Sequence, residues 1–127
     1  MKTIFVFGNP DLPLDSLPLK ILPALRVEFP SIKFEVKDPN EDWTVPEELV
    51  IIDTAVGIKE ITVFGSLEKF ANAPRVSMHD FDALTNLRFL QKLGRLKKIR
   101  IIGLPPEIPE PETLRITSEI ISRLKLV

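Results

Sequence analysis

Hydrophobic and polar positions fall in blocks along the chain, and the blocks predict strands separated by helices. "TIFVF" (Thr3 to Phe7), "LVIIDTA" (Leu49 to Ala55) and "KIRIIGL" (Lys98 to Leu104) are short, nearly continuous apolar runs. That pattern belongs to strands covered on both faces, as in a parallel sheet between helical layers. "IKFEVKD" (Ile32 to Asp38) alternates apolar with polar, which predicts a strand with one wetter face near a sheet edge. "EITVFGS" (Glu60 to Ser66) follows "LVIIDTA" after only a few residues. A parallel crossover needs about a dozen residues or more, so this strand is expected to run antiparallel to its neighbour.

Helical spacing fills the intervals. Leu19, Leu22, Leu25, Arg26 and Phe29 recur at helical spacing behind Ser16, a candidate N-cap, with Pro18 in the first turn and Pro23 predicting a kink. "LEKFANA" predicts a short helix or turn and "RVSM" an extended segment. Asp80 then caps a helix from Phe81 to Leu93, with Leu84, Leu87, Leu90 and Leu93 as its inner stripe and Gly94 just past its end. A last helix opens at Pro111 or Glu112 and is expected to bury Leu114, Ile120, Ile121 and Leu124. Alternation of strands and helices predicts an α/β protein, a three-layer α/β/α sandwich around a mostly parallel sheet with one antiparallel strand. With 127 residues and no composition break, residues 1–127 are expected to form a single domain.

Composition narrows the function classes. Lys+Arg 17 against Asp+Glu 18 leaves no basic excess, so neither nucleic acid nor an anionic membrane is an expected partner. The longest apolar runs are far below the ~20 residues of a membrane span, and "MKTIFVFG" reads as a strand closed by a glycine rather than as a signal peptide. A cytoplasmic location is the expectation. Cysteine is absent, which removes disulfides, thiolate metal sites and a cysteine nucleophile together. Little Gln beside abundant Ile, Lys, Glu and Pro suggests a thermophilic source.

Ligands of parallel α/β sheets bind at the carboxyl ends of the strands. Three side chains can converge there: Asp15 after strand 1, Asp53 at the end of strand 3, and His79, the one histidine, before the helix beginning near Phe81. Two carboxylates and an imidazole suit a divalent first-row ion and leave coordination positions open. Asp53 is the most telling, because an acid inside "VIIDTAV" costs several kcal/mol to bury unless it has a partner or a site. Asp80 and Asp82 read instead as a helix cap and a first-turn acid. Trp43, in an acidic loop, either packs locally or anchors a partner.

The segments "VFGNPDLPLDSLPLKILPAL", "LVIIDTAVGI", "VSMHDFD" and "IRIIGLPPE", in this order and spacing, resemble the hydrogenase maturation proteases, peptidases that trim the precursor of the nickel-iron hydrogenase large subunit. The resemblance extends over nearly the whole chain. It implies a five-stranded sheet of order 2-1-3-5-4 with strand 4 antiparallel. It also implies an endopeptidase that removes a C-terminal extension once nickel is in place. An acid shortly after a Gly-Asn turn, an Asp ending strand 3 and a His in a Ser-x-His segment bind metal in that family, and they match Asp15, Asp53 and His79. Nickel would arrive with the precursor, and another divalent metal can substitute. Gly8 and Asn9 are the positions expected to meet the substrate. The chain departs from the pattern in loop 1, where a glycine-rich signature is reduced to the Gly8 of "FGN" and the acidic motif continues as "LDSLP".

Competing readings have less to stand on. A receiver-like signalling domain lacks its acidic pair after strand 1, which ends in "FGNP", and its lysine after strand 5, which ends in "GLPP". No G-x-G-x-x-G turn occurs for a dinucleotide. A non-enzymatic assembly factor that keeps the metal-sensing residues but not cleavage is the remaining alternative.

Overall fold

The computed structural model describes residues 2–37, 45–71 and 87–124. Five strands, β1 (Lys2–Val6), β2 (Ile32–Val36), β3 (Glu48–Thr54), β4 (Thr62–Phe64) and β5 (Lys98–Leu104), form one sheet of order β2-β1-β3-β5-β4. All neighbours are parallel except β4 and β5, which run antiparallel. The expected topology is therefore the observed one, and β4 pairs with β5 rather than with β3, the strand before it. Its link, residues 55–61, passes the carboxyl end of β5, because Asp53 pairs with Gly103 and Gly103 with Thr62. The strand is shorter than the apolar run Glu60 to Ser66 predicted.

The helices are α1 (Leu17–Glu28), α2 (Leu67–Ala71), α3 (helical residues 87–92) and α4 (Glu110–Arg123). Strand side chains alternate between the two helical layers. Ile4, Val6, Val50, Ile52, Ile102 and Leu104 pack with Ile21, Leu22 and Leu25 of α1 and Ile121 of α4. Phe5, Phe7, Leu49, Ile51, Ile99 and Ile101 pack with Leu67 and Phe70 of α2 and Leu87 and Leu90 of α3. This is the three-layer sandwich predicted from the alternation of patterns. The Phe64 ring meets Phe70 edge-on, centroids 5.3 Å apart, and so fastens β4 to α2.

Several expectations at helix ends are corrected. Ser16 occupies the N-cap of α1, but its hydroxyl turns back to the carbonyl of Pro13 (3.3 Å), leaving its own carbonyl to accept from Leu19 and Lys20. The helix continues through Pro23 to Glu28. Leu93 is 52% exposed rather than part of the inner stripe. It is the C-cap of α3: Gly94, at φ +74°, donates to Gln91, and Arg95 donates to Leu90, closing a Schellman motif. That turn points Leu93 outward and buries Leu96 instead. In α4 the fully buried positions are Thr113, Thr117, Ser118 and Ile121, while Leu114, Ile120 and Leu124 are half-buried at the flanks. The helix lies against α1, where Ser118 Oγ donates to Glu28 Oε2 at 2.7 Å. The expectations for Asp80, Leu84 and Trp43 lie outside the described residues.

Charge protects the β2 edge. Lys33 and Lys37 both pair with Glu35, at 2.7 and 3.2 Å, and Lys37 Nζ stands 5.0 Å above the Phe5 ring. The hydrogen bond from Lys33, assisted by Lys37, holds the Glu35 carboxyl below its usual 4.5. A carboxyl depressed in the folded state adds stability above its unfolded pKa, and that stability disappears as pH falls through the folded value. Glu35→Gln is accordingly expected to cost about 0.5 kcal/mol near neutral pH. In urea titrations the difference from the parent protein should close in acid; a difference independent of pH would exclude this linkage.

Candidate active site

The chain leaves β1 and β3 in opposite directions. From β1 it enters α1 on one face of the sheet, and from β3 it proceeds through β4 to α2 and α3 on the other. The carboxyl ends of two such neighbouring strands form a topological switch point, where diverging loops leave a crevice for ligands. Asp15 and Asp53 both come to this edge.

Asp53 is the residue of β3 immediately beyond its pairing with β1, whose last register pair is Val6 with Ile52. It is 2% exposed, and its Oδ1 accepts the backbone N–H of Thr54 at 2.8 Å. Its parity along β3 is that of Leu49 and Ile51, the face covered by α2 and α3. Phe70 and Leu87, the buried residues on either side of the segment containing His79, belong to that same cluster. His79 itself lies outside the described residues.

Asp15 is delivered by loop 1, which is tightly knit. Phe7 N–H donates to Ile52 (3.0 Å), extending the β1–β3 ladder by one bond. Asn9 N–H then donates to the Asp15 carbonyl (2.9 Å), and Asp15 N–H to Leu12 (2.9 Å), closing a 3-10 turn over Pro13–Asp15. Asn9 also accepts at its side-chain oxygen from Asp11 N–H (3.0 Å) and at its carbonyl from Leu12 N–H (3.2 Å). The turn packs against β3 with Asp15 4% exposed. Gly8 makes this approach possible, since a Cβ there would lie 2.9 Å from the Asp15 carbonyl oxygen and 3.1 Å from Leu19 Cγ. Of the two residues expected to meet substrate, both shape the loop that carries Asp15.

Carboxylates held out of water must be compensated by partners, as Asp53 is in part by Thr54 N–H, and buried acids at such an edge are candidates for a site. Oxygen donors of this kind fit a divalent first-row ion, with an imidazole as a compatible third ligand. Among the described residues no group of three His, Cys, Asp or Glu side chains converges. Thr54 is a neighbour the sequence reading passed over. It is 3% exposed, and its hydroxyl has no hydrogen-bond partner among the described residues. The polar pair "DT" closing an apolar strand was the available signal.

Two cavities lie elsewhere. One, of about 400 Å³, opens at the amino ends of β1, β3 and β5 beside Lys2, Glu48 and Lys98. The other, of about 590 Å³, runs between α1 and α4 beside Glu28, Arg115 and Arg123. Their charged side chains are mostly exposed and solvated, so volume there is not matched by chemistry. No helix among the described residues is long and apolar enough to cross a membrane.

No family model matches this chain, and no curated protein sequence matches it significantly. Its fold does match solved structures. The hydrogenase maturating endopeptidase HYBD from E. coli superposes with a TM-score of 0.64 at 19% identity, over 98% of this chain and 93% of that one. An endopeptidase from Escherichia coli, solved in solution, gives 0.59 at 20% identity, over 99% and 90%. At such identities the likeness is one of fold, and it covers at least nine-tenths of each chain.

The close approach at Gly8 is open to test. Gly8→Ala is expected to cost about 1–3 kcal/mol by forcing loop 1 away from β3. Gly65→Ala, where a Cβ would meet nothing within 4 Å, serves as the control. Equal denaturation midpoints for the two variants would contradict the assignment.

Proposed function

We propose that this chain is an endopeptidase that removes the C-terminal extension from the precursor of a nickel-iron hydrogenase large subunit after nickel insertion. The observation that carries the reading is the pair of buried acids, Asp15 and Asp53, at the switch point of a sheet whose full-length fold is shared with the two E. coli endopeptidases. The motif resemblance across loop 1, strand 3 and the "SMH" segment supports it from an independent direction.

In this reading nickel is part of the substrate, and Asp15, Asp53 and His79 complete its coordination when the loaded precursor docks. Two hard oxygen donors and one imidazole satisfy part of the ion's shell and leave the precursor's own ligands in place. The bound ion supplies electrostatic polarisation, and the carboxylates supply proton transfer: one takes a proton from the attacking water and returns it to the departing amine. Gly8 and Asn9 keep loop 1 close against β3, so that Asp15 stays positioned while the peptide binds. Recognition through the metal makes loading the condition for cleavage. The partner is the hydrogenase precursor, and the place of reaction is the cytoplasm.

The test incubates purified protein with nickel-loaded and with nickel-free precursor and follows release of the C-terminal peptide. Release from the loaded form alone is expected, and Asp15→Asn and His79→Ala should each lower the rate at least about 100-fold with unchanged circular dichroism. Undiminished processing by either variant would remove that residue from the site. Binding of the loaded precursor without release would make the protein an assembly factor rather than a peptidase.

A further inference from the structure

Loop 1 inverts the usual distribution of polarity. Asp15 is 4% exposed, whereas Leu12 and Leu14, on either side of Pro13, are 47% and 53% exposed. Exposed leucines are ordinary singly; here two stand beside an acid that is itself buried, which is the unusual member of the turn. Nor is the exposure that of a loose segment. Leu12 donates to Asn9 and accepts from Asp15, Ser16 Oγ bonds to Pro13, and the rings of Pro10 and Pro13 each fix a φ angle. The two leucines are held toward solvent by the same bonds that hold Asp15 inward.

Apolar groups fixed in place bind a ligand with little further loss of conformational freedom. Their position is equally specific. Leu14 is the residue directly before Asp15, so a chain resting on these leucines lies within one or two residues of the acid. Val36, the last residue of β2, is exposed at the same carboxyl edge of the sheet. The size of the patch selects the occupant. Two half-exposed leucines offer on the order of 100 Å² of apolar area. That is far short of the ~800 Å² per partner of a stable protein interface and comparable to one or two side chains of a peptide.

We propose that Leu12 and Leu14 dock apolar side chains of the substrate polypeptide beside its scissile bond, and that loop 1 thereby sets the sequence preference of the cut. The proposal rests on the endopeptidase reading and adds to it a specificity element outside the acid pair.

The experiment compares the double variant Leu12→Ser/Leu14→Ser with Val27→Ser, which removes a still more exposed apolar side chain from α1. For the nickel-loaded precursor, the dissociation constant, KM and kcat are measured, together with self-association by analytical ultracentrifugation. The double variant should bind about tenfold more weakly and raise KM to match, with kcat within about twofold and an unchanged melting temperature. Val27→Ser should behave as the parent protein. Equal affinity of the double variant and the parent overturns the proposal, as does a change confined to self-association, which would assign the leucines to a second copy of the chain. If the parent protein binds without cutting, the endopeptidase reading falls while the affinity comparison still decides the role of the leucines. If it neither binds nor cuts, both fall.

Discussion

The parallel pairing of β1 with β3 constrains the rest of the molecule, because these two strands send the chain to opposite faces of the sheet. Their ladder ends at Val6 and Ile52 and is prolonged by one bond from Phe7. Gly8 thus becomes the first residue free to turn, and Asp53 the first position of β3 with no β1 strand beside it. A slip of one residue in this register would exchange the two faces of a strand, sending Asp53 toward α1 and an isoleucine toward the crevice. The site inherits its definition from the core.

Much of this architecture was legible in the sequence, for a physical reason. Strands covered on both faces must be apolar throughout, so "TIFVF", "LVIIDTA" and "KIRIIGL" declare themselves, and Asp53 stands out as the exception inside one of them. Features set by the approach of distant segments were not legible. Gly8 reads as a turn glycine, yet its lack of a side chain serves the carbonyl of Asp15. Gly103 similarly admits the Phe64 ring, which would come within 2.7 Å of a Cβ placed there. In α4, spacing pointed to leucine and isoleucine; Ile121 is buried as expected, but Thr113, Thr117 and Ser118 take the other buried positions. Small side chains let one helix lie close to another, and the larger ones fill the grooves alongside. Of the three proposed metal ligands, Asp15 and Asp53 are each buried at the carboxyl edge, and the third lies beyond the described residues.

The two sheet edges are treated differently. β2 carries Lys33, Glu35 and Lys37 as alternate residues on one side of the strand, a charged row that discourages pairing with another chain. β4 has no charge within Thr62–Phe64 and relies on brevity and on the contact between Phe64 and Phe70. Individual surface ion pairs contribute little to stability, so the row on β2 has more to do with which associations are avoided. Lys37 links this edge to the core by resting on Phe5, whose ring belongs to the layer beneath Asp53.

The packing of α4 on α1 bears on how the chain is made. Glu28 and Ser118 meet across most of the length of the chain, and Ile121 joins the residues of α1 in covering the face that carries Ile102 and Leu104. During synthesis the first helix and the central strands emerge well before the residues that cover them. The part of that face beneath α4 must therefore remain uncovered until Glu110–Arg123 has cleared the ribosome, a period in which its apolar surface is open to unwanted association. Contacts of such sequence separation also slow folding, because the loop entropy is spent before the packing is gained. The fold is consequently completed late, with the helix that seals the layer opposite α2 and α3.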